Sequence, residues 1–184
     1  GLRYAAGLGL SKDLCGGTIA ETAIAEAVEE IAARLWRFSP RIEPSPNEAG
    51  VFWMDAEGLR FVFPSLTAWA AGIVDDLREA GLWAVAAVGF SRFGSFAAAR
   101  SGAANVVFES EAEERTRVRQ VPIARLQLDP KLTETLLKLG VETLGGFIDL
   151  PPAGIARRFG PEAAELHRMA RGAGWDALCA ADLR

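Results

Sequence analysis

The fold is decided by residues 38–63, which read FSPRIEPSPNEAGVFWMDAEGLRFVF. A proline follows Ser39, and the residue before a proline avoids the helical region, so a helix that precedes this stretch ends here. Two apolar runs follow, Val51–Asp55 and Leu59–Phe63, and Ala56–Gly58 separates them. Short apolar runs on either side of a glycine-containing turn predict a β-hairpin.

Amphipathic helices flank the predicted hairpin on both sides. Thr18 and Glu21 have the spacing of a capping box, and the helix that they start runs to about Phe38 with apolar residues at helical spacing. After the hairpin, a second amphipathic helix covers Leu66–Leu77 and ends at Gly81, because glycine is favoured just past a helix C-terminus.

Three further elements complete the first module. The apolar run Trp83–Phe90 predicts a strand covered on both faces, and a helix at Phe93–Arg100 and a strand at Val106–Phe108 follow. The chain starts with Gly1 rather than Met, and we interpret it as a piece of a longer protein. One strand ahead of it would complete a βαββαβ unit, the split-βαβ or ferredoxin-like arrangement. The sequence therefore predicts an α+β fold.

The second module is helical. Short helices are expected at residues 131–139, 146–150, 152–158 and 161–171. Helices joined by tight turns at Gly140 and Gly160 resemble helix-hairpin-helix units, in which backbone N–H groups meet a phosphate. A small helical bundle that binds nothing fits the composition equally well. We divide the chain into a first domain of residues 1–112 and a helical domain of residues 113–184.

Charge is divided in a similar way. The net charge is −4, but residues 1–114 carry 9 basic and 16 acidic residues, whereas residues 115–184 carry 11 and 8. Two ordinary solvated surfaces would show the same asymmetry, but the basic module is where weak, non-specific DNA binding is expected. The candidate DNA-binding residues surround one turn: Arg157, Arg158, Gly160, Arg168 and Arg171. His167, beside Arg168, is expected at the surface or facing a phosphate.

Several patterns argue against other functions. Gly89–Gly94 imitates the start of a phosphate loop but lacks the Lys and Ser/Thr that follow its second glycine. A single histidine excludes a His-based metal cluster. No apolar stretch is long enough to span a bilayer, so we expect a cytoplasmic protein without a membrane partner. Trp53, Trp69 and Trp83 are expected in one core and not as a base-stacking platform.

The motifs, in this order, resemble the Y-family translesion DNA polymerases. Residues 38–59 resemble the palm, where a helix ends in SPxxEP and leads to a strand with an Asp-Glu pair. Val88–Arg92 resembles the VGxSx segment, and residues 139–147 and 158–172 resemble the thumb, whose Pro-Gly-Ile-Gly loop is degenerate at Leu126–Asp129. The resemblance implies the end of the fingers, a ferredoxin-like palm without its first strand, and a small helix-hairpin-helix-like thumb, with no little finger.

The catalytic pair of that family is not intact. The resemblance implies two Mg²⁺ ions held by carboxylates on two palm strands, one of which is missing here. Depending on the alignment, Asn47-Glu48, Glu48-Ala49 or Gly50-Val51 stands at the Asp-Glu pair, and none of these offers two adjacent carboxylates. Asn47 and Glu48 are therefore a degenerate remnant, and we assign no catalytic residue and no metal ligand.

This pattern of loss resembles the ImuB subfamily, Y-family-like proteins of bacterial mutasomes. It implies a non-catalytic scaffold in DNA repair and SOS-induced, mutagenic translesion synthesis. In the full-length protein its partners would be the sliding clamp, an ImuA-type protein and an error-prone polymerase, and this fragment would need no cofactor. One alternative is an active polymerase fragment in which Glu48, Asp55 and a carboxylate on the missing strand hold Mg²⁺. A second is a ferredoxin-like interaction domain without a DNA role.

Overall fold

The computed structural model describes residues 16–102 and 104–172, together with Gly9 and Leu178. The first elements are α1 Glu21–Leu35, β1 Ile42–Pro44, β2 Phe52–Met54, α2 Leu66–Glu79, β3 Ala87–Val88, α3 Arg92–Ser101 and β4 Val106–Val107. The later elements are α4 Glu111–Val118, α5 Pro130–Lys138, α6 Leu144–Ile148, α7 Pro152–Phe159 and α8 Pro161–Ala170. Short 3₁₀ turns lie at Leu59–Phe61 and Ile123–Arg125. The predicted α+β class is confirmed.

The predicted hairpin partner is wrong. β2 pairs antiparallel with β1, with Ile42 opposite Met54, and not with the segment that follows it. That segment is the 3₁₀ turn, because Gly58 adopts a left-handed conformation (φ +76°) that bends the chain inward. Leu59 is thereby buried, while Phe61 is left 96% exposed.

The second strand pair is parallel and short. β3 pairs with β4, so that Ala87 lies opposite Val106. The strand predicted over residues 83–90 is thus limited to two residues, and Trp83 is 90% exposed. The expectation that Trp83 shares a core with Trp69 is wrong, because the chain leaves α2 through a turn that points the indole ring to solvent.

Helix starts are mostly capped by side chains, but the first is not. The predicted capping box is wrong: α1 begins after Ala20, and no side-chain hydrogen bond caps it. Ser65, by contrast, accepts a hydrogen bond from the N–H of Ala68 and fixes the start of α2 (3.0 Å). No described helix is long and apolar enough to cross a membrane.

Two apolar cores hold these elements together. The first packs α1, the β1–β2 hairpin and α2 around Trp69, whose indole N–H donates to the carbonyl of Phe38 (2.8 Å). The second is larger and centres on Phe147, which is fully buried. It takes Ala97 and Phe108 from the first predicted domain and Leu136 from the second. The boundary between residues 112 and 113 stays a prediction.

His167 belongs to this second core. Its ring is 2% exposed and meets Phe147 edge-on, with the ring centroids 5.2 Å apart. The expectation of a surface histidine is therefore wrong. The helical spacing explains the burial, because Ala163 and His167 are one turn apart on the inward face of α8.

Candidate palm site and nucleic-acid interface

The loop between β1 and β2 carries the degenerate catalytic remnant. Asn47 is exposed at its tip and offers an amide instead of a carboxylate. Glu48 is ion-paired with Arg100 in the last turn of α3. The guanidinium of Arg100 also lies 5.3 Å from the ring centroid of Phe96, and its side chain is only 18% exposed. The carboxylate of Glu48 is thus compensated by a cation of the chain itself.

A second acidic residue of this region is compensated in the same way. Glu43 on β1 forms an ion pair with Arg92 at the start of α3, and one of the two contacts measures 3.1 Å. The guanidinium of Arg92 lies over the indole of Trp53, 4.0 Å from the ring centroid. This stacking adds a cation–π interaction to the ion pair and fixes the arginine in place.

Asp55 is engaged in local structure. Its carboxylate accepts hydrogen bonds from Arg41 (2.8 Å) and from the backbone N–H of Glu57 (2.9 Å). It therefore ties the end of β2 to the residue before β1 and to the following turn.

Divalent metal ions such as Mg²⁺ need several oxygen ligands around one point. Within residues 16–102 and 104–172, no three His, Cys, Asp or Glu side chains come together in that way. The carboxylates of Glu43, Glu48 and Asp55 each face an arginine. The residues that the structure describes do not fit a two-metal site.

A cleft of about 710 Å³ lies between the two strand pairs. Its lining includes Phe52 and Met54 of β2, Ala87 of β3, and both arginines of the palm site, Arg92 and Arg100. In the described part of the chain each strand pairs on one side only, so β2 and β3 both face the cleft with an open edge. A further strand placed in this cleft could pair with both open edges.

The loop Gly89–Gly94 holds a carboxylate of the chain itself. Glu114 on α4 is 4% exposed and accepts hydrogen bonds from the N–H groups of Phe90 and Ser91 and from the hydroxyl of Ser91. A Cβ at Gly94 would overlap this carboxylate, and one at Gly89 would lie 2.7 Å from it. The glycines that imitate a phosphate loop are therefore needed for contact with Glu114, which occupies the anion position at the start of α3.

Three of the five predicted DNA-binding residues lie at the α7–α8 turn. Gly160 has φ +89° and ends α7 where α8 begins. Arg157 and Arg158 are exposed in the last turn of α7. Arg171 donates to the carbonyl of Ile148 (3.1 Å) at the other end of α8. The turn and Arg171 are thus separated by the length of α8, and the structure does not bring all five residues together.

Arg168 has an acidic partner. Its guanidinium makes a bidentate contact with Glu165 (2.6 and 2.8 Å), one turn earlier on α8. The hydrogen bond from Arg168, helped by its charge, holds the pKa of the Glu165 carboxyl below its ordinary value. A DNA phosphate would have to compete with this carboxylate for Arg168.

In the degenerate thumb loop, Leu126–Asp129, a side chain also caps the helix that follows. Gln127 is the one non-glycine residue with a positive φ (+52°) among those described, so the backbone still makes the bend that glycine would favour. Asp129 then accepts hydrogen bonds from the N–H groups of Lys131 (2.9 Å) and Leu132 (3.0 Å) at the start of α5. Its carboxylate occupies the place where those N–H groups would meet a phosphate.

Taken with the element order, the fold resembles the palm and thumb of known polymerases. A DinB-family error-prone DNA polymerase from Sulfolobus solfataricus superposes with a TM-score of 0.70 at 14% identity, over 97% of this chain and 54% of that chain. A second structure, DinB from the same organism, gives a TM-score of 0.68 at 13% identity, over 95% of this chain and 52% of the other. At these identities the likeness concerns the fold.

The sequence points to a particular relative within that class. Protein ImuB of Caulobacter vibrioides, from two strains, is 28% identical over 178 residues. The match covers 97% of this chain and 38% of that protein, so the chain spans well under half the length of these curated relatives. No family model matches the chain. The predicted resemblance to ImuB-like Y-family proteins is confirmed.

Sequence reasoning missed the arginines of the palm site. Arg92 and Arg100 are eight residues apart on α3, a spacing that places both on one face of a helix. That spacing was visible in the sequence, but their partners Glu43 and Glu48 lie about fifty residues earlier. Glu114 carried no sequence signal, because it is one of four acidic residues within six positions.

Proposed function

We propose that the chain is the palm-and-thumb part of a DNA-damage-related, polymerase-like protein that does not itself transfer nucleotides. The similarity to ImuB over nearly the whole chain supports the polymerase-like assignment. The proposal extends to weak DNA binding by the thumb-like module. In the full-length protein we further propose contacts with the sliding clamp, an ImuA-type protein and an error-prone polymerase, which act together in SOS-induced mutagenesis.

The observation that carries the proposal is the ion pairing of the palm carboxylates. In a two-metal mechanism, carboxylates hold cations that activate the primer hydroxyl and neutralise the triphosphate. Here a guanidinium faces Glu48, another faces Glu43, and Asn47 contributes no charge. A carboxylate that is ion-paired with an arginine already has its charge compensated, and a metal ion would have to displace that arginine. We therefore propose no Mg²⁺ cofactor for this fragment.

One observation favours the alternative of an active polymerase. The cleft between β2 and β3 leaves two strand edges open, and a strand placed between them could carry a further carboxylate. With Glu48 and Asp55 this would give three acidic groups. Both of these residues would have to exchange their arginine partners for metal ions, which is why we rank this function second.

The deciding experiment is primer extension by the full-length protein. With primed template, the four dNTPs and Mg²⁺ or Mn²⁺, we expect no extension, whereas an active Y-family polymerase in the same buffer extends the primer. Template-directed extension that disappears in Glu48→Ala would overturn the proposal. The 184-residue chain is tested alongside for Mn²⁺ binding by electron paramagnetic resonance, where Asn47→Asp/Arg100→Ala is expected to bind more tightly than the wild type. The absence of DNA binding at low salt would instead favour an interaction domain.

A further inference from the structure

A second cleft lies where the two modules meet. It has a volume of about 480 Å³ and lies between the start of α3, the helix α4 and the end of α8. We call it the junction cleft and define it by Phe90, Ser91, Arg115, Arg119 and Arg171. Arg115 lies on α4, whereas Arg119 and Arg171 directly follow α4 and α8. Of the three, only Arg171 is among the DNA-binding residues that the sequence predicts.

Two of the three arginines in the junction cleft have no acidic partner among the described residues. Arg115 has no acidic group within 4 Å in the part of the chain that the structure describes. Arg171 donates to an uncharged carbonyl, so that contact leaves its charge uncompensated. Arg119 is paired with Asp149 (2.5 Å) and is about a third exposed.

Two glutamates also line the cleft, and they differ in how far solvent or a ligand can reach their carboxylates. Glu114 is buried and is satisfied by the N–H groups of Phe90 and Ser91, so it forms the wall. Glu111 is exposed in the first turn of α4. Two guanidinium groups without an acidic partner, those of Arg115 and Arg171, therefore face one accessible carboxylate, that of Glu111, and this part of the cleft favours an anion.

An aromatic ring accompanies the positive charge. Phe90 is 44% exposed and lines the cleft beside the arginines. The hydrogen bond from its backbone N–H to Glu114 fixes the main chain of Phe90 just before α3. Aromatic rings next to arginines along a groove are the combination that binds single-stranded nucleic acid, because bases stack on the ring while the arginines follow the phosphates.

We propose that the junction cleft binds a segment of single-stranded DNA, with Phe90 stacking against a base and Arg115 and Arg171 contacting the phosphates. This inference rests on the proposed function, since it names the surface through which a polymerase-like protein would hold an unpaired strand. It moves the main DNA contact away from Arg157 and Arg158 to the junction of the modules.

The test is fluorescence anisotropy with the 184-residue chain, a fluorescein-labelled 12-mer of deoxythymidine and a labelled 12-base-pair duplex, at several salt concentrations. In Arg115→Ala/Arg171→Ala we expect the slope of log affinity against log salt to fall by about 1.4 in magnitude, because each single-strand phosphate contact contributes roughly 0.7. Phe90→Ala is expected to weaken binding of the single strand about fivefold or more. It should leave duplex binding unchanged.

Two controls separate the outcomes. Arg60→Ala/Arg78→Ala removes the same charge from the exposed surface of the first module and is expected to leave the salt slope within experimental error. Loss of binding in Arg157→Ala/Arg158→Ala, with the cleft variants unaffected, would overturn the inference while DNA binding itself stands. Binding of the duplex in preference to the single strand would also overturn it. No binding by the wild type at low salt would refute the proposed DNA role as well.

Discussion

The buried carboxylate of Glu114 should be among the most important side chains for stability. In Glu114→Ala, the N–H groups of Phe90 and Ser91 lose their acceptor, as does the hydroxyl of Ser91. A buried donor left without a partner costs about 1–3 kcal/mol, and bonds to a charged group are at the upper end. With two backbone donors affected, and with water entering the space to satisfy part of the loss, we expect the free energy of unfolding to fall by about 3 kcal/mol.

A double-mutant cycle with Gly94→Ala tests the geometry of this contact. The new Cβ would overlap the carboxylate of Glu114 and would also approach the hydroxyl of Ser91. Gly94→Ala alone is therefore expected to destabilise by about 1–3 kcal/mol. In the Glu114→Ala background one of the two overlapping groups is gone, so the same change should cost clearly less. The two effects should thus be non-additive, as expected for residues in contact.

The measurement is urea unfolding followed by the intrinsic fluorescence of the five tryptophans, of which Trp69 is buried, with the transition repeated by circular dichroism. Glu111→Ala, in the first turn of the same helix but exposed, is the matched control and should lose only about 0.5 kcal/mol. A loss below 1 kcal/mol in Glu114→Ala, or additive effects in the cycle, would refute the role that we assign to this carboxylate.

Two further predictions concern helix ends. Asp129→Ala should lower the free energy of unfolding by about 1 kcal/mol because it removes the cap of α5. Asp129→Asn, which can still cap the helix, should lower it much less. Urea unfolding measures both variants, and equal losses would argue against the cap. The pKa of Glu165 lies below its ordinary value, so the stabilisation from its contact with Arg168 is present above the unfolded pKa and is lost as the pH falls through the folded one. An NMR titration of the Glu165 carboxyl carbon should give a midpoint below 4.5 that rises towards it in Arg168→Ala, and an unchanged midpoint would contradict the assignment.

The helices could be predicted from the sequence because their signals are local. The signals for α2, its apolar spacing and the cap at Ser65, all lie within the helix or directly before it. Gly140 and Gly160 separate the thumb-like helices at positions where the backbone takes a positive φ. The burial of His167 was equally local, since the residue lies one turn from Ala163. The sequence analysis predicted a surface position instead, because His167 is followed directly by the charged Arg168.

The strand pairing and the palm site could not be predicted in this way because their contacts are distant in sequence. Leu59–Phe61 has the composition of a strand, yet its left-handed preceding glycine turns it into a 3₁₀ turn. The partner of β2 is β1. The prolines within and beside β1 make its sequence resemble a loop. The ion pair of Glu48 is formed with Arg100, fifty-two residues away. Composition does not indicate which acidic and basic side chains pair in the folded chain.

The open edges of β2 and β3 have a consequence for how the chain behaves in concentrated solution. Backbone N–H and C=O groups on an unpaired strand edge attract any other extended segment, including the same edge of a neighbouring molecule. The strands are short, at three and two residues, which limits how firmly such a pairing could hold. A preparation of the 184-residue chain should therefore associate reversibly as its concentration rises, and adding a strand that fills the cleft should keep it monodisperse.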